Sequence, residues 1–451
     1  MIRARQRRAG LAAALTAALA LAGCTAGDGL PGVSMFEGSR PSDPPPVPGG
    51  QGEVTRAAAD RDKRTEAASP VIADLMARRS VLAPAGPAAR LAEVVLSANA
   101  GAAAAELRVA RLKADARARN WLPSLGPSVT LTSLSSIAAG LMVDQVLLDN
   151  GRRKAERAFA AADVEVAAVA LAAEMNALVH DGLARRIEAD RAKAQAAAAE
   201  ASAARMAGYA RIMQGRADGG LADRSEAQVV AQKLSELRAT AARDREAEAT
   251  AMAELSARTG GAPPRVQGAV AVPAAPGAAV PLSVLRAEGE GRRMVAQARI
   301  ERAGHLPGLG LGLAVTGDGI RPGAKLGADR MFNSGTGASL QALEATEALA
   351  AQRQSAARAE SDRRLVAIDR QIAELSARQS ETAKVVAETE AVLKLFAEQY
   401  QVGRRSLMEV VNLTETHARM SREHAAMPFE VALLRLRAAQ ERGVLVDGAR
   451  M

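Results

Sequence analysis

Apolar positions along this chain recur with two different periods. From about residue 87 most return every three or four positions, in stretches rich in Ala, Leu, Glu, Arg and Gln with almost no proline. That spacing predicts long helices with one packed face. It places them roughly over 87–120, 152–213, 283–304 and 336–399, with a return helix after each of the two longest. Val385, Thr389, Val392 and Phe396 run at 4-3-4 spacing, the seam of a helix laid against others. Elsewhere alanine fills the seam, so little area is buried per residue and such helices would be marginal alone. Assembly is therefore expected. In Leu309–Thr316 the period falls to two, which predicts a strand, and Val129–Thr132, Leu141–Leu148 and Leu326–Phe332 are candidate strands beside it and in its counterpart stretch. Pro428 lies inside the last helix, where a kink is expected.

The pattern then repeats. Leu122-Pro123-Ser124-Leu125-Gly126 returns as Leu306-Pro307-Gly308-Leu309-Gly310, and Leu148-Asp149-Asn150-Gly151 returns as Phe332-Asn333-Ser334-Gly335, both 184 positions on. Gly220 followed by Glu226 returns as Gly403 followed by Glu409, and Thr259-Gly260 as Arg442-Gly443, both 183 on. Four landmarks in one order at one offset indicate a duplication. The expected organisation is a leader over 1–23, a Pro-rich linker over 24–86, a first repeat over 87–260, a Gly/Pro/Ala linker over 261–282, a second repeat over 283–443 and a tail over 444–451.

Composition adds a compartment. Arg3, Arg5, Arg7 and Arg8 precede an apolar run over 11–21 that is too short to span a bilayer and reads as a secretory signal. It ends in Leu21-Ala22-Gly23-Cys24, which resembles the bacterial lipobox, and Cys24 is the chain's only cysteine. Lipidation at Cys24 is expected, and no internal disulfide can form. The formal charge of +9 does not point to nucleic acid. Four of the 59 basic residues lie in the leader, the rest are interspersed with 50 acids, and aromatics for base stacking are 2% of the chain.

These features resemble the TolC family of outer-membrane efflux proteins, the outer membrane factors. The run Gln145-Val146-Leu147-Leu148-Asp149-Asn150-Gly151-Arg152-Arg153 resembles the family's strand-to-helix junction, with Gly151 and Gly335 as the turns. Tyr400-Gln401-Val402-Gly403-Arg404-Arg405-Ser406-Leu407-Met408-Glu409 resembles a periplasmic helix tip, and Gly219-Gly220-Leu221-Ala222-Asp223-Arg224-Ser225-Glu226 is its weaker counterpart. The resemblance implies a mainly α fold: two tandem helical-hairpin repeats plus two short β-hairpins. It implies a homotrimer whose subunits each give four strands to a shared transmembrane barrel, since lipid tolerates no open sheet edge. It further implies a lipid-anchored, passive exit duct in the outer membrane, completed by a periplasmic adaptor and an inner-membrane pump. Adaptor docking would fall at Gly220 and Gly403. The entrance would be held by Tyr400, Arg405, Glu226 and Glu409, with Ser225 and Asn412 beside them. Only 24 residues separate Gly126 from Gly151, and the strands lack Trp and Tyr, so a short barrel is expected, with Trp121 one candidate interfacial anchor.

No enzyme chemistry is visible in the sequence, and no cofactor or metal is expected. His180 and His305 stand in separate elements, while His417 and His424 are seven apart, too far for one metal without a third ligand between. Gly308, Gly310 and Gly312 alternate within a strand and open no helix, so they form no phosphate cradle. Two other readings stay open: an outer-membrane component for type I protein secretion, and a structural coiled-coil periplasmic lipoprotein that forms no pore. Cys24→Ser should abolish palmitate labelling and leave the leader uncleaved by the lipoprotein peptidase; labelling that persists in the serine variant removes the anchor.

Overall fold

The computed structural model of the chain describes residues 69–99, 101–133, 136–261, 271–274, 277, 279–316, 319–328 and 336–450. Cys24, Phe332 and Gly335 lie outside them. The elements run α1 (Pro70–Ala77), α2 (Pro87–Ala98), α3 (Ala102–Ala118), β1 (Ser124–Ser133), β2 (Ser136–Leu148), α4 (Arg152–Asp218) and α5 (Arg224–Arg258). They continue as α6 (Leu282–Gly304), β3 (Gly308–Thr316), β4 (Gly319–Gly327), α7 (Thr336–Gln401), α8 (Leu407–Glu441) and a 3-10 turn over Gly448–Arg450. The duplication is plain in the helix lengths: 67 and 35 residues for α4 and α5, 66 and 35 for α7 and α8. At about 1.5 Å per residue, α4 and α7 are each roughly 100 Å long. Among the described residues no helix is long and apolar enough to cross a membrane.

Four glycines end the long helices, each by the same device. Gly220, Gly260, Gly403 and Gly443 have φ of 69°, 68°, 73° and 64°. After Gly220 the Leu221 amide reaches back to the Arg216 carbonyl at 2.7 Å, and after Gly403 the Arg404 amide reaches Gln399 at 2.8 Å. The other two close alike, Gly261 on Ser256 and Val444 on Ala439. These are Schellman closures, which require a left-handed residue that glycine supplies without a Cβ penalty.

The β-hairpins pair with each other to make one antiparallel sheet in the order β1-β2-β3-β4. Leu141 stands opposite Val315 and Val143 opposite Leu313, while Leu311, Leu313 and Val315 face Ala324, Pro322 and Ile320. One face is therefore apolar, and Leu141, Leu311, Ile320 and Leu326 on it are exposed. The opposite face carries Asp144, Gly312, Gly323, Arg321 and Lys325, with Asp144 Oδ1 accepting from Lys325 Nζ at 3.0 Å. A register shift between Val146 and Leu148 turns Leu148 onto the apolar face opposite Leu309. Prolines sit in both outer strands, Pro127 in β1 and Pro322 in β4, where a missing N–H is tolerated.

Helix α4 is the centre of the helical layer, with α3, α5, α6 and α8 against it, while α7 packs on α6 and α8. Twenty-two of the 67 residues of α4 are buried and only six of the 66 of α7, so α7 is an edge. The seam expected in α7 is half-covered: Val385, Thr389 and Phe396 are partly buried and Val392 is 39% exposed. The densest core lies midway along α4, where Val179, Leu183 and Ile187 meet Leu91 and Val95 of α2, Leu255 of α5, Leu436 of α8 and Leu445. Each fully buried Leu or Val there contributes about 1.5–3 kcal/mol.

Several expectations need correction. The single helix over 87–120 is two, because Asn99 leaves helical geometry (φ −122°) and its Nδ2 donates to the Val95 and Arg258 carbonyls at 2.7 and 2.9 Å. The last strand described is Gly319–Gly327, which overlaps the expected 326–332 only at its end, and 329–332 lie outside the described residues. The short β3–β4 connection also answers the shortage of residues: strands of 10, 13, 9 and 9 residues fit the ~9–11 a barrel strand needs. The end of the expected linker and the expected tail are packed: Val71, Leu75 and Leu82, and Val444, Leu445 and Val446, are buried. Main chain fastens the two, the Gly448 amide donating to the Arg78 carbonyl at 3.0 Å and the Val81 amide to the Val444 carbonyl at 2.9 Å, while the Arg78 side chain donates to the Arg442 and Val280 carbonyls at 2.7 and 2.6 Å. Helix α8 runs through Pro428.

The glycine closures differ in what a side chain would meet. A Cβ on Gly220 meets nothing within 4 Å, whereas on Gly443 it lies 2.5 Å from Leu282 Cγ and 2.6 Å from Arg78 Nη1. Gly220→Ala should cost about 1–2 kcal/mol from backbone strain, and Gly443→Ala a further ~1–3 kcal/mol from overpacking. Thermal unfolding of the two variants checks the order; equal losses would place no contact at Gly443.

Candidate functional site

At the tip of the α4–α5 hairpin, Asp223 caps α5 by accepting from the Ser225 amide at 2.8 Å. That contact, with a second from the Ser225 hydroxyl, lowers the Asp223 pKa. Glu226 in the first turn of α5 is exposed. At the α7–α8 tip, Ser406 and Glu409 form a full capping box: the Glu409 amide donates to Ser406 Oγ at 3.3 Å and the Ser406 amide to Glu409 Oε2 at 3.0 Å. Arg405 lies over the Phe396 ring, 3.7 Å from its centre, and donates to Gln399 Oε1 at 2.8 Å and Glu409 Oε1 at 3.1 Å. Glu409 and Arg405 thus share one hairpin, and within this chain Arg405 is not joined to Glu226. Asn412 is exposed and its carbonyl accepts from Thr416. Tyr400 crosses between hairpins, its hydroxyl accepting from Arg216 Nη1 of α4 at 3.4 Å.

Above the tips a charged network joins the two repeats. Arg205 of α4 grips Glu390 of α7 with both guanidinium nitrogens, at 2.8 and 3.2 Å. His417 of α8 places Nε2 3.0 Å from the same carboxylate. Lys233 of α5 pairs with Glu415 of α8, and Arg422 of α8 holds the buried Asp244 of α5 through two bonds of 2.7 and 2.6 Å. The Arg205 hydrogen bond holds Glu390 below the usual carboxylate range. Burial pushes His417 below its ordinary value, and the attraction of Glu390 does not offset burial together with Arg205.

At the other end of α4, Gly151 takes φ +84° as N-cap. The Asp149 carboxylate accepts from the Gly151 and Arg153 amides at 3.0 and 2.7 Å, and Asn150 donates to the Pro307 carbonyl at 2.9 Å. The sheet therefore meets the helix through fixed geometry in place of a loose loop. Trp121, before β1, is 62% exposed, and its carbonyl accepts from Gln145 Nε2 at 3.2 Å. No group of three or more metal-ligating side chains occurs among the described residues.

No known family's sequence pattern matches the chain, and no curated protein matches it in sequence. Solved structures do. The outer membrane protein VceC of Vibrio cholerae aligns with a TM-score of 0.68 at 15% identity, covering 79% of this chain and 96% of that one. The outer membrane channel CmeC of Campylobacter jejuni aligns at 0.64 and 11% identity over 80% and 87% of the two chains. The open state of the Neisseria gonorrhoeae channel MtrE aligns at 0.59 and 16% over 83% and 94%. The chain has the outer membrane factor fold.

The tip residues singled out in the sequence stand at the ends of the two hairpins, whereas Arg205, Glu390 and Asp244 were not singled out and His417 was treated as incidental. A signal was present. Arg216 and Tyr400 stand 184 apart, the repeat offset itself, and Arg205–Glu390, Lys233–Glu415 and Arg422–Asp244 are separated by 185, 182 and 178. Equivalent heights on duplicated hairpins lie side by side, so opposite charges near that separation are candidate pairs. A base whose folded pKa is lowered adds stability above its unfolded value, lost as pH falls. Acidification from pH 7.5 through the ordinary histidine range near 6.5 should loosen the α7–α8 seam at His417, and Glu390 should follow only at lower pH. Protection factors of α8, corrected for the intrinsic pH dependence of exchange, should fall between pH 7 and 5.5 in the unaltered chain and stay level in His417→Gln; equal falls in both would exclude the histidine.

Proposed function

We propose that this chain is one of three subunits of a passive outer-membrane duct that exports small molecules or ions. The observation that carries the reading is the sheet: one apolar exposed face, one face of glycine and paired charge, and two strands with an unpaired edge. Nine residues at ~3.3 Å make a strand near 30 Å, and a tilt of about 45° brings its height close to the ~25 Å apolar band of such barrels. Three copies joined β4 to β1 remove every edge and give twelve strands. The helices carry the same message, since α7 on one side and α3 and α5 on the other present sparsely buried flanks to a neighbouring copy. Acylation at Cys24 would hold each N-terminus at the membrane. A periplasmic adaptor seated on the Gly220 and Gly403 turns, and behind it an inner-membrane pump, would complete the path. The tips would form the closed entrance, ringed by Glu226 and Glu409.

Purified in detergent, the protein should run as a heat-labile trimer and conduct in planar bilayers. A monomer that stays in the soluble fraction once the lipid is removed would instead favour a structural coiled-coil lipoprotein. The entrance has its own test. Exposed pairs contribute only ~0–1 kcal/mol each, but a trimer holds three of every link. Arg405→Ser with Tyr400→Phe should raise resting conductance by roughly two- to tenfold, on the order of 0.4–1.4 kcal/mol in total. Glu226→Gln with Glu409→Gln should lower cation preference while trimer yield is kept. Unchanged conductance and selectivity in both variants would put the entrance elsewhere.

A further inference from the structure

We propose that the sheet–helix junction carries a basic collar that binds the headgroups of anionic phospholipids; the inference rests on the membrane reading above. Five cations, Arg117, Arg119, Arg152, Arg153 and Lys154, occupy two short segments immediately below the strands. The acids beside them are Asp115, Asp149 and Glu156, and Asp115 makes no ion pair among the described residues. Asp149 is spent on backbone, accepting from the Gly151 and Arg153 amides at 3.0 and 2.7 Å. Glu156 serves three donors at once, Arg117 at 3.2 Å, Arg152 at 3.4 Å and Asn120 at 3.1 Å. Arg119, Arg153 and Lys154 are left with no acidic partner among the described residues. In the second repeat Glu301, the counterpart of Arg117, accepts from Gln297 Nε2 at 2.9 Å, and the lower Glu347 and Glu344 pair with Arg299 and Arg302.

What lies directly above the collar selects a lipid over a soluble anion. Trp121, Leu122, Leu147 and Leu148 are 62%, 43%, 55% and 54% exposed, and Leu148 turns onto the apolar face of the sheet. A phosphate bound to the guanidinium groups would therefore have its acyl chains against leucine and tryptophan. Arg117, Arg152 and Arg153 line an open groove beside Asn120 and Leu148, while Arg119 and Lys154 lie on exposed surface, a spread that suits a layer of headgroups. Near a membrane surface each basic residue contributes on the order of a fivefold preference for anionic lipid, and the effect fades beyond about 8 Å at physiological salt.

Trp121 is the chain's only tryptophan and sits within the collar, so its fluorescence reports the contact directly. The full chain is placed in nanodiscs containing brominated phosphatidylglycerol or brominated phosphatidylcholine in graded amounts. Half-quenching should need about tenfold less phosphatidylglycerol at low salt. The preference should shrink to within about twofold in 0.5 M sodium chloride, a comparison that needs no variant. It should shrink equally in the exposed-surface variant Arg119→Gln, Arg153→Gln, Lys154→Gln. Equal quenching by both lipids, or a preference that survives salt and the triple variant, overturns the collar and leaves the membrane reading standing. No quenching by either lipid overturns both.

Discussion

Each backbone N–H and C=O left unpaired in hydrocarbon costs several kcal/mol, and β1 and β4 each present one unpaired edge. Among the described residues those edges have no strand to meet, and the apolar face between them has nothing packed on it. An open sheet with an apolar face is tolerable neither in water, where it would aggregate, nor in lipid, where its edges would stay unsatisfied. Closure with other copies removes both problems together. The rest of the molecule follows from that requirement. In the proposed trimer, helices that continue a shared barrel would not be self-sufficient, and α7 has only six buried residues of 66.

Alanine makes such a wall possible and sets its weakness. Small side chains along α4, from Ala155 to Ala217, let helices approach closely but contribute little area each. Cohesion is concentrated where large residues meet: the cluster around Leu183 and Leu436, and a second around Met206, Val230 and Val411 near the tips. Between these, charged side chains span the seams, Arg205 to Glu390 and Arg422 to Asp244. Asp244 is buried, so removing Arg422 would strand its charge at a cost well above that of an exposed pair.

How far the fold could be read from the sequence depended on what each signal measures. The Leu-Pro stops, the tip glycines and the 184-residue offset report local backbone geometry, and α4, α7 and both tips stand where they indicated. The strand over 319–327 was missed as far as Lys325 because Gly319-Ile320-Arg321-Pro322-Gly323-Ala324-Lys325 shows no strong alternation. It is an edge strand whose polar face carries Arg321 and Lys325, so only its cross-strand partners define it. The break at Asn99 was invisible for a similar reason, since it is stabilised by the Arg258 carbonyl, 159 positions away. Burial of the Val444–Val446 segment likewise depends on Asn176, whose Oδ1 accepts from the Leu445 amide at 2.9 Å.

The two ends of the same long helices differ in how firmly they are held. Beside the middle of α4, Asn176 is fully buried and bonds main chain, and Arg78, 5% exposed, divides its guanidinium between main-chain carbonyls and Asp74. Breaking any of those contacts leaves a buried group unsatisfied, at about 1–3 kcal/mol each. At the tips Arg405 and Glu409 are 34% and 47% exposed in their side chains, and water can replace either partner. Low-stability segments are where motion starts, so any movement of these hairpins begins at the tips and ends at the equatorial core. A tip lies roughly 50 Å from that core, so a tilt of about 6° displaces it by on the order of 5 Å. No helix need unfold for a displacement of that size. The exposed pairs resist only its first step, while the buried clamp sets the pivot about which α4 and α7 would swing.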